Sequence, residues 1–371
     1  MKRIWIVAGE ASGDTHGAEL MRAVRERAPD VEFVGAGGPR MRRHAGEPFD
    51  EWIAEAGVLG LWDVLKKYGY FRAKFDAMEA AIRKDPPDAV VFVDYPGFNL
   101  RMAAALRAAL PSMKLIFYIS PQVWAWKRNR IPRMAKILDR MLCIFPFERD
   151  LYEASGLRTD FVGHPMIERL AEEKRGDIRE ANLVGLFPGS REREVRKIFP
   201  VLLDAARHVL RERPDVRIAA AAASESLASS MRSMAAAAGI PCEIESGNAH
   251  LLMQRATAGL VCSGTATLEA AFFGLPYALV YRVAWLTYAV GRVVITIPYL
   301  GIVNILAGRE VVHEFLQADA QPAAMGAELL RLLNDPEARA ALQRQLAAVI
   351  EGLHGENASA QAAVAVLEVL E

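Results

Sequence analysis

Short apolar runs alternate with helix-like patterns along most of this chain, and that alternation narrows the fold more than any other feature. Runs at residues 3–8, 32–34, 89–94, 114–119, 140–145 and 160–163 form one set. Runs at 183–187, 216–222, 242–244, 258–262 and 277–280 form a second. Amphipathic stretches such as 195–213 and 227–238 lie between them, and the tail from 320 to 371 reads as helix. Strands separated by helices build parallel sheets with helices on both faces. Between the two sets, residues 166–182 are crowded with charge (Glu172, Glu173, Lys174, Arg175, Asp177, Arg179, Glu180) and read as an exposed linker. The expected fold is α/β: two Rossmann-like domains with parallel sheets facing across a cleft. Ligands of open parallel sheets bind beyond the carboxyl ends of the strands, so the turn after each run is where chemistry is sought.

A length of 371 residues suits two cores better than one. Lys+Arg and Asp+Glu number 45 each, so there is no basic excess and bulk nucleic-acid binding is excluded. Cys143, Cys242 and Cys262 are scattered in apolar runs with no C-x-x-C pair, the pattern of core thiols rather than of zinc or disulfides. Lys2-Arg3 and the run 4–8 start like a signal peptide, but Glu10 and Asp14 follow too soon, so the run reads as a first strand. Residues 283–306 are strongly apolar yet broken by Gly291, Arg292, Pro298, Gly301 and Asn304, short of the roughly 20 apolar residues a spanning helix needs.

Several strand-end turns carry groups suited to a phosphorylated sugar ligand. Ser263-Gly264-Thr265-Ala266-Thr267-Leu268-Glu269 follows a buried run and opens a helix that stops at Gly274. Unpaired N–H groups and the helix dipole make such a junction an anion site. Glu269, one turn in, can accept hydrogen bonds from the vicinal hydroxyls of a ribose. An ordinary serine N-cap is the alternative. Phe187-Pro188-Gly189-Ser190-Arg191 ends the first run of the second set, and Arg191 can fork onto a diphosphate. In the first set, Ala8-Gly9-Glu10-Ala11-Ser12-Gly13-Asp14-Thr15-His16-Gly17 is glycine-rich but matches neither G-x-G-x-x-G nor a P-loop. It reads as a turn letting backbone approach a sugar or phosphate, or as a structural turn.

Asp94, in Val93-Asp94-Tyr95-Pro96-Gly97-Phe98-Asn99, is a strand-end carboxylate suited to accepting a proton from a hydroxyl, or else a turn residue. Ser120-Pro121-Gln122-Val123-Trp124-Ala125-Trp126 holds two tryptophans that could stack on sugars, line an acyl channel or pack as loop core. Lys127, Arg128, Arg130, Arg133, Lys136 and Arg140 follow as a local basic patch. Val58, Leu61, Trp62 and Leu65, with Tyr68, Tyr70 and Phe71 beyond and Lys66, Lys67, Arg72 and Lys74 between, suit either a membrane interface or a core-packed helix. No D-x-D pair for a diphosphate-bound metal and no G-x-S-x-G occurs. No metal or cofactor is expected.

Taken in order, these motifs resemble the lipid-A-disaccharide synthase family, glycosyltransferase family 19. The resemblance rests on residues 8–14, Gly37-Gly38-Pro39-Arg40-Met41, 94–99, 120–126, Pro146-Phe147-Glu148, Gly163-His164-Pro165, 188–191, 263–269, Asn304-Ile305-Leu306 and Glu314-Phe315-Leu316-Gln317. His313 departs from it, since family members commonly carry proline there.

The resemblance implies a GT-B inverting transferase joining UDP-2,3-diacylglucosamine to 2,3-diacylglucosamine 1-phosphate (lipid X). The products are the β-1′,6 disaccharide 1-phosphate and UDP, in lipid A biosynthesis. It implies peripheral attachment at the cytoplasmic leaflet of a Gram-negative inner membrane, and leaves a homodimer open. The implied domains are 1–170 for acceptor and lipid, 171–182 as linker, 183–345 for the UDP-sugar, and 346–371 as a C-terminal helix free to pack back on the first. Asp94 and Arg191 are the expected catalytic pair. Donor contacts are expected from Gly189, Ser190, Ser263, Gly264, Thr265, Thr267, Glu269, Asn304 and Gln317. Acceptor and lipid contacts are expected from Ser12, Gly13, His16, Asn99, Gln122, Trp124, Trp126, Trp62 and Leu65.

Overall fold

The computed structural model describes residues 2–53, 68–176, 178–283, 297–355 and 357–371. The chain divides into two units, Met1–Glu168 with Leu353–Glu371, and Arg169–Gly352.

The first unit holds seven strands: β1 (Arg3–Ala8), β2 (Glu32–Gly37), β3 (Phe49–Glu51), β4 (Ala89–Val93), β5 (Lys114–Tyr118), β6 (Arg140–Cys143) and β7 (Thr159–Phe161). Their order is β3-β2-β1-β4-β5-β6-β7, every pair parallel. Side chains alternate between two buried faces. Ile4, Ile6 and Ala8 join one apolar cluster, and Trp5 and Val7 join the other. The C-terminal helix Ala358–Leu370 belongs to this unit and packs Ala362, Val366 and Leu370 into the first cluster.

The second unit holds β8 (Glu180–Phe187), β9 (Arg217–Ala222), β10 (Glu243–Ser246), β11 (Ala256–Cys262), β12 (Tyr277–Tyr281) and β13 (Glu314–Leu316). Their order is β10-β9-β8-β11-β12-β13, again all parallel. Both sheets wind outward in opposite directions from a central pair. In such sheets the crevice lies where the order reverses, between β1 and β4 in one unit and β8 and β11 in the other.

Three expectations are corrected. Residues 166–182 are not an open linker: Pro165–Glu173 is helical and β8 begins at Glu180. Arg179 is spent on the carbonyls of Met253, Ala256, Phe273 and Gly274. Arg140 leaves the basic patch, because it sits buried on β6 bound to Asp160, to Glu368 and to the Ala365 carbonyl. Cys143 and Cys262 are buried free thiols, but Cys242 is half-buried. Among the described residues no helix is long and apolar enough to cross a membrane.

Candidate functional site

In the second unit, the turns after β8 and β11 open onto one pocket of ≈ 930 Å³. Gly189, Ser190, Arg191, Ser263, Gly264, Thr265 and Glu269 all line it. The helix Thr265–Phe272 starts at Gly264, whose φ of 143° excludes most side chains, and no side chain caps it. A serine cap is therefore not what this junction does. Its first N–H groups, at Thr265 and Ala266, have no carbonyl of a preceding turn to meet. The Ser263 N–H is unavailable to a ligand, since it bonds the Val280 carbonyl at 3.0 Å. Arg191 is largely exposed and touches Glu194 at 3.3 Å, a weak tether that leaves most of its donors open.

Two lining residues carry no recognisable sequence signal. Glu173 lies in the charged stretch, and His250 follows a polar turn. His250 Nδ1 lies 2.7 Å from Glu173 and its Nε2 lies 3.5 Å from Glu269. The Glu269 contact, with that to Glu173, holds the imidazole above its ordinary 6.5 against the opposite pull of burial.

Three expected donor residues lie outside this lining and are occupied within the fold. Asn304 is fully buried with its amide complete: Nδ2 donates to Val312 and Glu314, and Oδ1 accepts from Val311 and Val312. Glu314 in turn accepts from the N–H groups of Leu300 and Gly301. Gln317 pairs with both backbone groups of Val283. Thr267 is buried and donates its hydroxyl to the Gly264 carbonyl, which fixes the helix start rather than a ligand. His313 is exposed, held by Glu310 at 2.6 Å and edge-on to Phe315.

In the first unit, Ser12, Gly13 and His16 follow β1, Asp94 and Asn99 follow β4, and Gln122, Trp124 and Trp126 follow β5. These are adjacent strands, so the turns share one edge. Asp94 and Tyr95 have φ of 48° and 49°, a left-handed pair that ordinary side chains seldom adopt. Asn99 holds this turn: its Nδ2 donates to the Asp94 carbonyl at 2.7 Å and to that of Val93 at 3.3 Å. Asn99 is fully buried and fixes the turn that carries Asp94. The Tyr95 ring lies across Gly9, where a Cβ would meet it at 2.2 Å. Burial holds the Asp94 carboxyl above the usual carboxylate range, with Glu10 adding to it and the Tyr95 N–H and His16 opposing.

Buried acids lock this unit's motifs together in pairs. Asp14 accepts from the N–H groups of Gly38, Arg40 and Met41, which joins residues 8–14 to 37–41. Glu148 is fully buried and accepts from the Ser120 hydroxyl, from Trp124 Nε1 at 2.8 Å and from the Phe145 N–H. Burial pushes it up to about 7 despite those bonds. Trp124 is thus core, packed edge-on to Phe147, and not a stacking platform. Trp126 is the exposed member, 46% accessible, with the Lys127 ammonium 3.9 Å over its ring. Gln122 and Ser12 are exposed and His16 is half-buried. Trp62 and Leu65 lie outside the described residues.

Comparison with known proteins agrees with this architecture. The model of the lipid-A-disaccharide synthetase family matches residues 4–369. The lipid-A-disaccharide synthase of Geobacter sulfurreducens is 38% identical over 99% of this chain and 97% of its own length. That of Myxococcus xanthus is 36% identical over 99% and 97%. Among solved structures, a putative UDP-N-acetylglucosamine 2-epimerase from Listeria monocytogenes superposes with TM-score 0.64 at 13% identity, covering 99% of this chain and 96% of that one. The calicheamicin glycosyltransferase CalG4 gives 0.59 at 16%, covering 100% and 98%. At those identities the structures speak for the fold of two Rossmann-like domains alone. The match along nearly the whole sequence says more: the chain belongs to the lipid-A-disaccharide synthetase family, and is a glycosyltransferase of lipid A biosynthesis.

Proposed function

We propose that this enzyme transfers the sugar of UDP-2,3-diacylglucosamine to the 6-hydroxyl of 2,3-diacylglucosamine 1-phosphate with inversion, releasing UDP. The observation that carries the reading is the pocket in the second unit, where an uncapped helix N-terminus, Arg191 and Glu269 meet. A diphosphate suits the N–H groups of Thr265 and Ala266 and the Arg191 guanidinium, which together stabilise the charge that develops on leaving UDP. Glu269 suits the ribose hydroxyls. Asp94 is the base that takes the acceptor's proton. Its burial-raised affinity for a proton favours that role over a fully solvated carboxylate. Inversion requires a single displacement, so no covalent sugar intermediate forms on the chain.

Attachment to the cytoplasmic face of the inner membrane is part of the same proposal. Exposed Trp126 with Lys127, Arg128, Arg130, Arg133 and Lys136 supplies an apolar contact and charge for anionic headgroups. Stable peripheral attachment generally needs two such signals. The test is mass spectrometry of products from purified protein with both substrates. A tetraacyl disaccharide 1-phosphate with stoichiometric UDP is expected. UDP release without disaccharide, or an epimerised donor, contradicts the proposal.

A further inference from the structure

We infer that His250 positions Glu269 as the ribose acceptor and so makes the pocket selective for ribonucleoside over 2′-deoxyribonucleoside diphosphates. This rests on the uridine-nucleotide reading above. Glu269 is held loosely on two sides, with Oε2 3.5 Å from His250 Nε2 and Oε1 3.8 Å from Arg169. Both contacts aim the carboxylate while leaving lone pairs for two vicinal hydroxyls. His250 itself is fixed on its far side by Glu173 at 2.7 Å, and its ring packs on Phe273, centroids 5.3 Å apart. Gln254 ties that assembly together, donating to the carbonyls of Glu173 and His250.

The protonation of His250 decides the contact. When Nδ1–H donates to Glu173, a neutral ring presents a lone pair at Nε2, which faces the Glu269 carboxylate and repels it. An imidazolium donates to both acids. The charged groups that meet it directly are Glu173 from the helix Pro165–Glu173 and Glu269 from the helix Thr265–Phe272. Arg169 meets Glu269's other oxygen, and Glu172, Lys174 and Arg175 line the same pocket. The two acids favour the proton, so the aiming contact is strongest on the acid side of the imidazole's raised value. It fades as pH rises through the raised value.

The test is calorimetric titration of the full chain with UDP and with 2′-deoxy-UDP between pH 6 and 9. The parent is expected to favour UDP by about tenfold at the acid end, the worth of one hydrogen bond to a charged group. That preference should shrink with rising pH. His250→Leu, which has no N–H to offer Glu269, should bind UDP and 2′-deoxy-UDP nearly alike at every pH, with 2′-deoxy-UDP affinity unchanged. Glu173→Gln should move the loss of preference to lower pH. A His250→Leu variant that keeps the preference overturns the inference. So does one that loses both nucleotides equally, because that marks a structural role. Failure of the parent to bind either nucleotide overturns the nucleotide reading itself.

Discussion

The two units spend their strand-end polar residues in opposite ways. In the second, the turns at Gly189–Arg191 and Ser263–Thr265 line an open pocket, and Arg191 has hardly a partner. In the first, Asp14, Asn99 and Glu148 are buried: Asp14 and Glu148 bond to other motifs of the same sheet edge, and Asn99 bonds to the carbonyls of its own turn. A motif residue can therefore be a contact or a clamp. Contacts should alter affinity or turnover at constant stability, and clamps should alter stability at constant intrinsic affinity.

The largest effect expected from breaking that division is at Asp94, the exception in the first unit because it is clamped by Asn99 yet offers its own carboxylate. Asp94→Asn should lower turnover about 10²–10⁴-fold, the range for a lost general base, and leave UDP affinity unchanged. Steady-state kinetics beside a UDP titration checks it. Parallel loss of both would make Asp94 another clamp.

Arg191→Ala should weaken UDP binding roughly 10- to 100-fold while the melting temperature holds, since a charge-assisted fork is lost from an exposed side chain. A lowered melting temperature with normal affinity would reverse its assignment. Asn304→Ala should do the opposite within the same unit. It takes the side-chain partner from the Val311 and Val312 N–H groups and from the Val312 carbonyl, while Glu314 keeps its bonds from Leu300 and Gly301, and it costs about 2–3 kcal/mol in denaturant unfolding.

The last effect is a pH slope in stability. Glu148 titrates near 7 when folded against an ordinary 4.5, so the folded chain holds that proton more tightly than the unfolded chain does. Its favourable contribution is complete below about pH 4.5 and is lost as pH rises through 7. Stability measured between those values should fall with pH in the parent. The slope should be reduced in Glu148→Gln, which keeps an oxygen for Trp124.

Much of this division was hidden in the sequence for physical reasons. The alternation of runs carries the two parallel sheets because buried strands must be apolar on both faces. It fails at β3 and β13, which have three residues each and are part polar. The pocket turns were legible because glycine, serine and arginine at a strand end admit a phosphate whatever lies around them. The clamps were not. Asp14 meets its partners 24 to 27 residues away, and Asn304 looks like any polar residue until β13 brings Glu314 beside it. His250 and Glu173 stand 77 positions apart, and no local spacing joins them.

Hydrogen–deuterium exchange of the full chain with and without UDP tests the division of labour most directly. The account predicts slowed exchange at Ser190–Arg191, at Gly264–Ala266 and around His250, with the Asp94–Asn99 turn unchanged. Protection confined to the turns after β1, β4 and β5, with the second unit unaffected, would contradict it.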